Sequence, residues 1–316
     1  MVYFESYNQI YSFKFMKNYL IFRTDRIGDF LLTAILIRAI KRNDPNCFIQ
    51  VIGSIKNYNY IKSFKYVNEV FLLKKGFFNR LKLLILLKKK KYQNVIIHDS
   101  KQRSKIISFF LSKKKIIDTD VLSNTTHFNN IKHILESLNF NFIISDLDTL
   151  EDRTFIPTNT YTQTSNLKES YSLFHFDEKW IYNKSISHYT NIEPSEDALI
   201  SLFNSIVSKT NLNLVISTGL DTPNILKKIF SNRFNSKVFL YEGSNFFDIE
   251  RLINNSNLLI SCHGAVSHVA AAKNIKQVDI IDRSYNYSRW TDHFRNYQSL
   301  NRKTFSELST DIINLL

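Results

Sequence analysis

Cysteine, proline, glycine and methionine are all scarce in this 316-residue chain, with two Cys, four Pro, six Gly and two Met. Cys47 and Cys262 lie far apart and neither belongs to a CxxC pair. That excludes a zinc knuckle or a disulfide framework and suits a reducing compartment. Neither GxGxxG nor GxxxxGK(S/T) occurs, so a conventional dinucleotide or nucleoside-triphosphate cradle is excluded. The longest apolar stretch, Leu81 to Leu87, is interrupted by Lys82 and is far shorter than a bilayer span. Met1 to Phe15 mix Glu, Asn, Gln, Ser and aromatics, without the continuous apolar core of a signal peptide. A cytoplasmic location is expected. Met16 stands just before the first predicted strand, so residues 1–15 read as an extension or a loose arm.

Apolar residues make up 44% and charged residues 22%, the balance of an ordinary globular protein, and the length suits two α/β domains. The net charge of +14 is unevenly placed. Residues 1–150 hold 25 Lys and Arg against 11 Asp and Glu, whereas residues 151–316 hold 17 of each, so all the excess lies in the first half. Such a field favours an anionic partner: membrane phospholipid, a phosphorylated glycolipid or nucleic acid. Lys88–Lys91 and Lys113–Lys115 also read as solvated helix ends and loops. No RNA- or DNA-binding module is recognisable, which ranks nucleic acid last.

Short apolar runs alternate with longer segments of helical spacing. Tyr19–Arg23, Cys47–Ile52, Glu69–Leu73, Asn94–His98 and Lys115–Asp118 read as strands. Phe30–Lys41, Phe77–Leu87 and Ser104–Leu111 read as the helices between them, the first with an apolar face of Leu31, Ala34, Ile35 and Ala39. A polar stretch between about Asp146 and Lys168 reads as a linker. The alternation then restarts, with strands at Ser170–Phe174, Asn213–Ser217, Lys237–Leu240, Leu258–Ser261 and Gln277–Ile281. The intervening helices are Asp197–Lys209, Phe247–Asn254 and Ser267–Lys273, and a last helix covers about Phe305–Leu316. Strands without polar alternation, separated by helices, predict parallel sheets covered on both faces. Two Rossmann-like domains follow, 16–158 and 159–316, with a ligand cleft between them at the strand C-terminal ends.

Three segments carry candidate chemistry. Arg23-Thr-Asp-Arg-Ile-Gly-Asp29 joins a strand to a helix, where backbone amides and the positive dipole end favour an anion. Asp29 reads either as a first-turn carboxylate that steadies the dipole or as a general base that takes a proton from a hydroxyl. His175-Phe-Asp-Glu-Lys-Trp180 follows a strand early in the second half and offers Lys179 as a point charge for phosphate. Leu258-Leu-Ile-Ser-Cys-His-Gly-Ala-Val-Ser-His-Val-Ala-Ala-Ala272 is a strand meeting a glycine and a small-residue helix, whose N-terminal amides suit a diphosphate. A metal site of Cys262, His263 and His268 lacks a completing fourth ligand, and Cys262 as nucleophile needs a low-pKa setting.

Arg26-Ile-Gly-Asp-Phe-Leu-Leu-Thr33, followed by Arg38 and Pro45, resembles the opening of the family 9 glycosyltransferases, the lipopolysaccharide heptosyltransferases and their relatives. The resemblance implies a two-domain GT-B fold and metal-independent, inverting transfer from a nucleotide-diphosphate sugar, ADP-linked by analogy, with no cofactor. It implies Asp29 as base, Arg26 and Gly28 lining the acceptor side, and Lys179 on the donor phosphates. Cys262, His263, Gly264, Ala265 and His268 then form the donor loop, with Glu242 of Tyr241-Glu-Gly-Ser244 on the nucleoside ribose. The implied acceptor is an anionic glycolipid or oligosaccharide at the inner membrane surface. Departures are visible. Phe176-Asp177 replaces the family's Pro-Gly, Cys262 or His263 replaces its Asp, and one extra residue precedes His268. These changes also fit a catalytically silent protein that binds nucleotide-sugar or glycan.

Overall fold

The computed structural model describes residues 16–119, 125–154, 170–182, 186–231 and 235–316. Its first half runs β1 (Asn18–Phe22), α1 (Ile27–Asn43), β2 (Phe48–Gly53), α2 (Tyr58–Ile61), β3 (Glu69–Leu72), α3 (Phe77–Lys88), β4 (Tyr92–Ile97), α4 (Gln102–Phe109), β5 (Lys113–Asp118) and α5 (His127–Ser137). The second half runs β6 (Tyr171–His175), α6 (Glu196–Thr210), β7 (Asn213–Ser217), α7 (Asn224–Ser231), β8 (Val238–Tyr241), α8 (Phe246–Asn254), β9 (Ser256–Cys262), α9 (Ala265–Lys273), β10 (Lys276–Ile281), α10 (Ser288–Thr291), β11 (Tyr297–Asn301) and α11 (Phe305–Leu315).

Two all-parallel sheets result, ordered β3-β2-β1-β4-β5 and β11-β10-β9-β6-β7-β8. Each is wound outward in one direction and then returns to the other side of its first strand. The switch points therefore lie between β1 and β4 and between β6 and β9. Loops leaving the C-terminal ends of neighbouring strands diverge there, which leaves a crevice for ligand. The central strands are apolar without alternation because helices cover both faces; all five residues of β6 are buried.

Three expectations change. Helix α1 begins at Ile27 and is buried nearly all round, because it is sandwiched between its own sheet and α9 of the second half. One apolar cluster consequently runs from Phe30, Ile35 and Ile131 to Val266, Val269 and Leu173. The start of the expected linker is folded. Ile144–Leu147 and Thr149–Asp152 are single 3-10 turns whose acids anchor α1, Asp146 to Arg42 at 2.9 Å and Asp152 to Arg38 at 2.8 Å. Residues 1–15 and the later part of the linker, with the boundary at 158, lie outside the described residues. Five elements escaped the sequence reading: the single-turn helices α2 and α10, and α5, α7 and β11. The last is a half-exposed edge strand, Tyr-Gln-Ser-Leu-Asn, too polar to register as a strand.

The halves also meet through α2 and α8. Tyr60 stacks on Phe247 with ring centroids 5.8 Å apart, and Arg153 bonds Glu250 at 2.7 Å.

Candidate functional site

A cleft of about 1230 Å³ opens between the two sheets, lined on one side by loops after β1 to β4 and on the other by loops after β6, β9, β10 and β11. The sequence after β1 is held from several directions. Asn57 Nδ2 donates to the Arg23 carbonyl at 2.9 Å, and Thr24 Oγ1 donates to Asp99 at 2.5 Å. Arg103 in turn reaches Thr24 Oγ1 at 2.7 Å. Asp25 is tied to Lys101. The loop is therefore rigid where α1 begins.

Asp29 is the third residue of α1, and its carboxylate accepts the Arg26 backbone N–H at 3.1 Å. Behind it lies the buried Arg23 guanidinium, whose Nε donates to Thr33 Oγ1 at 2.7 Å. Burial pushes the Arg23 pKa down, while Asp29 and Asp99 pull it back. Thr33 Oγ1 also lies 2.9 Å from Nδ1 of buried His98. Burial, then the charge of Arg23, holds His98 neutral and pushes His127 down to about 4. Gly28 shows why the helix starts so close to the other half. A Cβ there would stand 3.0 Å from His268 Cδ2 and 3.3 Å from Ala265 Cα. Only a missing side chain lets the N-termini of α1 and α9 abut.

In the second half, the turn after β6 places a buried ion pair under the cleft. Asp177 caps the single 3-10 turn Glu178–Trp180 by accepting the Lys179 N–H at 3.0 Å, and its carboxylate also holds the Lys179 ammonium. Burial pushes the Asp177 carboxyl up, but Lys179 and His175 outweigh it and the pKa ends below the ordinary value. The Lys179 head lies on Gly264, where a Cβ would come within 2.9 Å of Nζ. Trp180 is fully buried and its indole N–H donates to the His175 carbonyl at 3.0 Å.

Buried Arg302, just past β11, donates to the Thr190 carbonyl at 3.0 Å and to the Lys179 carbonyl, and reaches Cys262 Sγ at 3.8 Å. Burial pushes the Cys262 thiol up to about 12, the opposite of what a nucleophile requires.

The start of α9 completes the floor. A helix's first amides have no intrahelical acceptor. Gly264 N–H is met by Ser267 Oγ at 3.2 Å, which itself donates to Asp279 at 2.8 Å. Asp279 is fully buried, and it also holds His263 Nδ1 at 2.6 Å and the Tyr297 hydroxyl at 3.2 Å. His263 is thereby oriented by a carboxylate located 16 residues on. His268 is buried, packs edge-on against Phe294 at 5.2 Å, and is held neutral by burial and then by its neighbours His263, His293 and His127. Among the described residues, no group of three or more His, Cys, Asp and Glu side chains is placed to hold a metal ion.

Of the residues singled out from sequence, Arg26, Gly28, Asp29, Lys179, Cys262, His263, Gly264, Ala265 and His268 line this one cleft. Glu242 does not. It is exposed after β8, on the edge of the sheet and away from the switch point. From the segment 282–293, Tyr285, Tyr287 and Trp290 contribute to the wall. The sequence reading gave Arg23 no role of its own within the first candidate segment and overlooked His98, Asp279 and Arg302. His98-Asp99 directly follows β4 at the switch point and was findable by that rule; Arg302 was hidden by its unrecognised strand.

The cleft is strongly basic. Its first-half wall carries Arg26, Lys56, Lys74, Lys75, Arg80, Lys101 and Arg103 against Asp25 and Asp29, and its second-half wall adds Lys179 and Arg302 against Glu178.

No protein-family model and no curated protein sequence matches the chain. Solved structures do. E. coli heptosyltransferase WaaC with ADP is 13% identical, covers 95% of this chain and 100% of its own, and superposes with a TM-score of 0.69. A family 9 glycosyl transferase from Veillonella parvula is 14% identical over 95% of this chain and 88% of its own, with a TM-score of 0.64. A putative UDP-N-acetylglucosamine 2-epimerase from Listeria monocytogenes is 10% identical over 95% and 88%, with a TM-score of 0.58. The fold is GT-B, and the resemblance to family 9 seen in the opening motif extends to the whole architecture.

Proposed function

We propose that the chain is an inverting, metal-independent glycosyltransferase. It moves a heptose-like sugar from a nucleotide-diphosphate donor, ADP-linked by analogy, to a lipopolysaccharide or other anionic surface glycan. The observation that carries this reading is the abutment of α1 and α9 across Gly28, which brings Asp29 to the same cleft as Lys179, Gly264 and Arg302. The E. coli and Veillonella parvula structures of like fold are transferases by name and support it.

In this mechanism Asp29 takes the proton from an acceptor hydroxyl, whose oxygen attacks the anomeric carbon from the face opposite the donor diphosphate. The bond from that carbon to the phosphate oxygen breaks, and its electron pair leaves with the diphosphate. Lys179, Arg302 and the first amides of α9 meet the developing charge, the work a divalent ion does in metal-dependent transferases. The seven cations of the first-half wall hold an anionic acceptor, with the protein peripheral at the cytoplasmic face of the membrane. Asp29→Asn is expected to keep nucleotide binding within about threefold while transfer falls about 10²-fold or more. Unchanged turnover would remove Asp29 from the mechanism. Added chelator is expected to leave the rate unaltered.

A second reading, a silent nucleotide-sugar binding protein, is favoured by one observation: Asp177 already neutralises Lys179. Nucleotide binding without turnover by wild-type protein against every acceptor offered would select it.

A further inference from the structure

Helices α3 and α4 cover one face of the first sheet, where Leu83, Leu87 and Ile107 pack against Phe22, Ile52, Val95 and Ile97. An ordinary surface helix would be polar on its other side. Helix α3 is not. At 100° per residue, Phe77, Leu81, Ile85 and Phe78 fall within an arc of about 100°, roughly opposite Leu83 and Leu87. They are 73%, 41%, 54% and 76% exposed. Neighbouring α4 presents Ile106 at 53% and, at its end, Phe109 at 73%. Lys88 lies 5.7 Å over the ring of Phe110, which joins the C-terminal ends of the two helices into one surface.

The charge around this surface is mostly positive, its acids being Glu69, paired with Lys90, and Asp118, paired with Lys105 at 3.0 Å. Residues 70–98 contain eight Lys and Arg and no acid, and Lys113, whose ammonium donates to the Phe109 and Leu111 carbonyls at 3.0 and 3.1 Å, extends the rim at the end of α4. Lys74 and Lys75, in the loop before α3, and Arg80, in its first turn, also line the cleft. The apolar face is thus continuous with the mouth of the acceptor wall. A protein partner that buries exposed Phe side chains carries complementary acids in matched places, whereas a strongly basic rim around an aromatic and aliphatic centre matches an anionic lipid interface. No described helix is long and apolar enough to cross a membrane.

We propose that the outer faces of α3 and α4 dock on an anionic phospholipid bilayer, with Phe77, Phe78, Leu81, Ile85 and Phe109 entering the headgroup boundary and the flanking lysines pairing with lipid phosphates. This names the face by which the protein meets the membrane. It rests on the sugar-transfer reading only for what glycolipid then enters the cleft, and the binding step needs no nucleotide.

The test is flotation of the full chain with vesicles of phosphatidylcholine containing 30% phosphatidylglycerol, and with phosphatidylcholine alone, without nucleotide. Wild type is expected to float with the anionic vesicles only. Phe77→Ser combined with Phe78→Ser should lower the partition about tenfold or more, and removing one rim lysine, Lys89→Gln, about fivefold. Leu220→Ser, at a 78% exposed position in the second half, should change nothing. The Phe variants alter exposed side chains, and their melting should match wild type. A Phe78→Trp chain should be quenched by brominated lipid in the same vesicles. No flotation, equal flotation of wild type and the double Phe variant, or a wild-type dimer in sizing that the double variant dissociates would each overturn the proposal. These results leave the donor reading untouched, just as loss of nucleotide binding would leave the flotation untouched.

Discussion

Replacing Asp177 by Asn tests the ion pair beneath the cleft. The Asp177 carboxylate is buried and receives the Lys179 N–H at 3.0 Å, the Lys179 ammonium, and a contact from His175 at 3.8 Å. An Asn side chain of the same shape retains an oxygen for the backbone N–H, so the substitution removes mainly the charge. Breaking a buried pair by deleting one partner costs about 3–5 kcal/mol. Lys179 keeps 25% of its side chain exposed and can turn partly to water, which puts the cost here at the low end, about 3 kcal/mol. For a chain of this size that is a fall in Tm of about 5 °C, read by circular dichroism. Adding Lys179→Met removes the stranded ammonium and should recover most of the loss.

The pH dependence has a fixed sign. The folded Asp177 carboxyl lies below its ordinary value, so its stabilisation is complete above about pH 4 and is lost as pH falls through the depressed value. The gap between wild type and variant should be full near neutrality and close in acid. A shift under about 1 °C at pH 7, or a double variant no more stable than Asp177→Asn alone, would refute the reasoning.

Two further outcomes are expected. Gly264→Ala places a Cβ 2.9 Å from Lys179 Nζ, the far end of a flexible side chain, on backbone that any residue adopts. Tm should move by about 1 °C or less while affinity for nucleotide diphosphate falls about tenfold, and equal affinity in a titration would detach Lys179 from the donor site. Cys47 and Cys262 are both buried, and burial pushes their thiols up to about 11 and about 12. Neither should react with a chromogenic disulfide at pH 8 until urea is added; a fast native phase would mean that one of them is accessible and partly ionised.

Most of the architecture was legible because parallel sheets covered on both faces force apolar runs without alternation, as in Leu20–Phe22 and Leu258–Ile260. Of the elements that escaped, β11 is polar for a physical reason, whereas α5 and α7 are short amphipathic helices. Strand β11 is an edge and needs little apolar surface, and α5 sets Phe128, Ile131, Ile134 and Leu135 at helical spacing among Asn and His. The acids at 146–152 resemble linker chemistry until their partners Arg42 and Arg38, more than 100 residues earlier, are in view. The site was legible where it stands at a strand–helix junction, at Asp29, Lys179 and Gly264. It was illegible where long-range pairing makes it, as with Asp279 behind His263 and Arg302 beside Lys179.

The account turns on a working donor site at the start of α9, and calorimetric titration with ADP, UDP and GDP, for wild type and Lys179→Met, addresses it most directly. One nucleoside diphosphate is expected to bind with a Kd in the micromolar range, roughly −7 to −8 kcal/mol, and the variant to lose about tenfold or more. Absence of binding by all three, or binding that Lys179→Met leaves unchanged, would contradict the assignment of this cleft to a nucleotide-sugar donor.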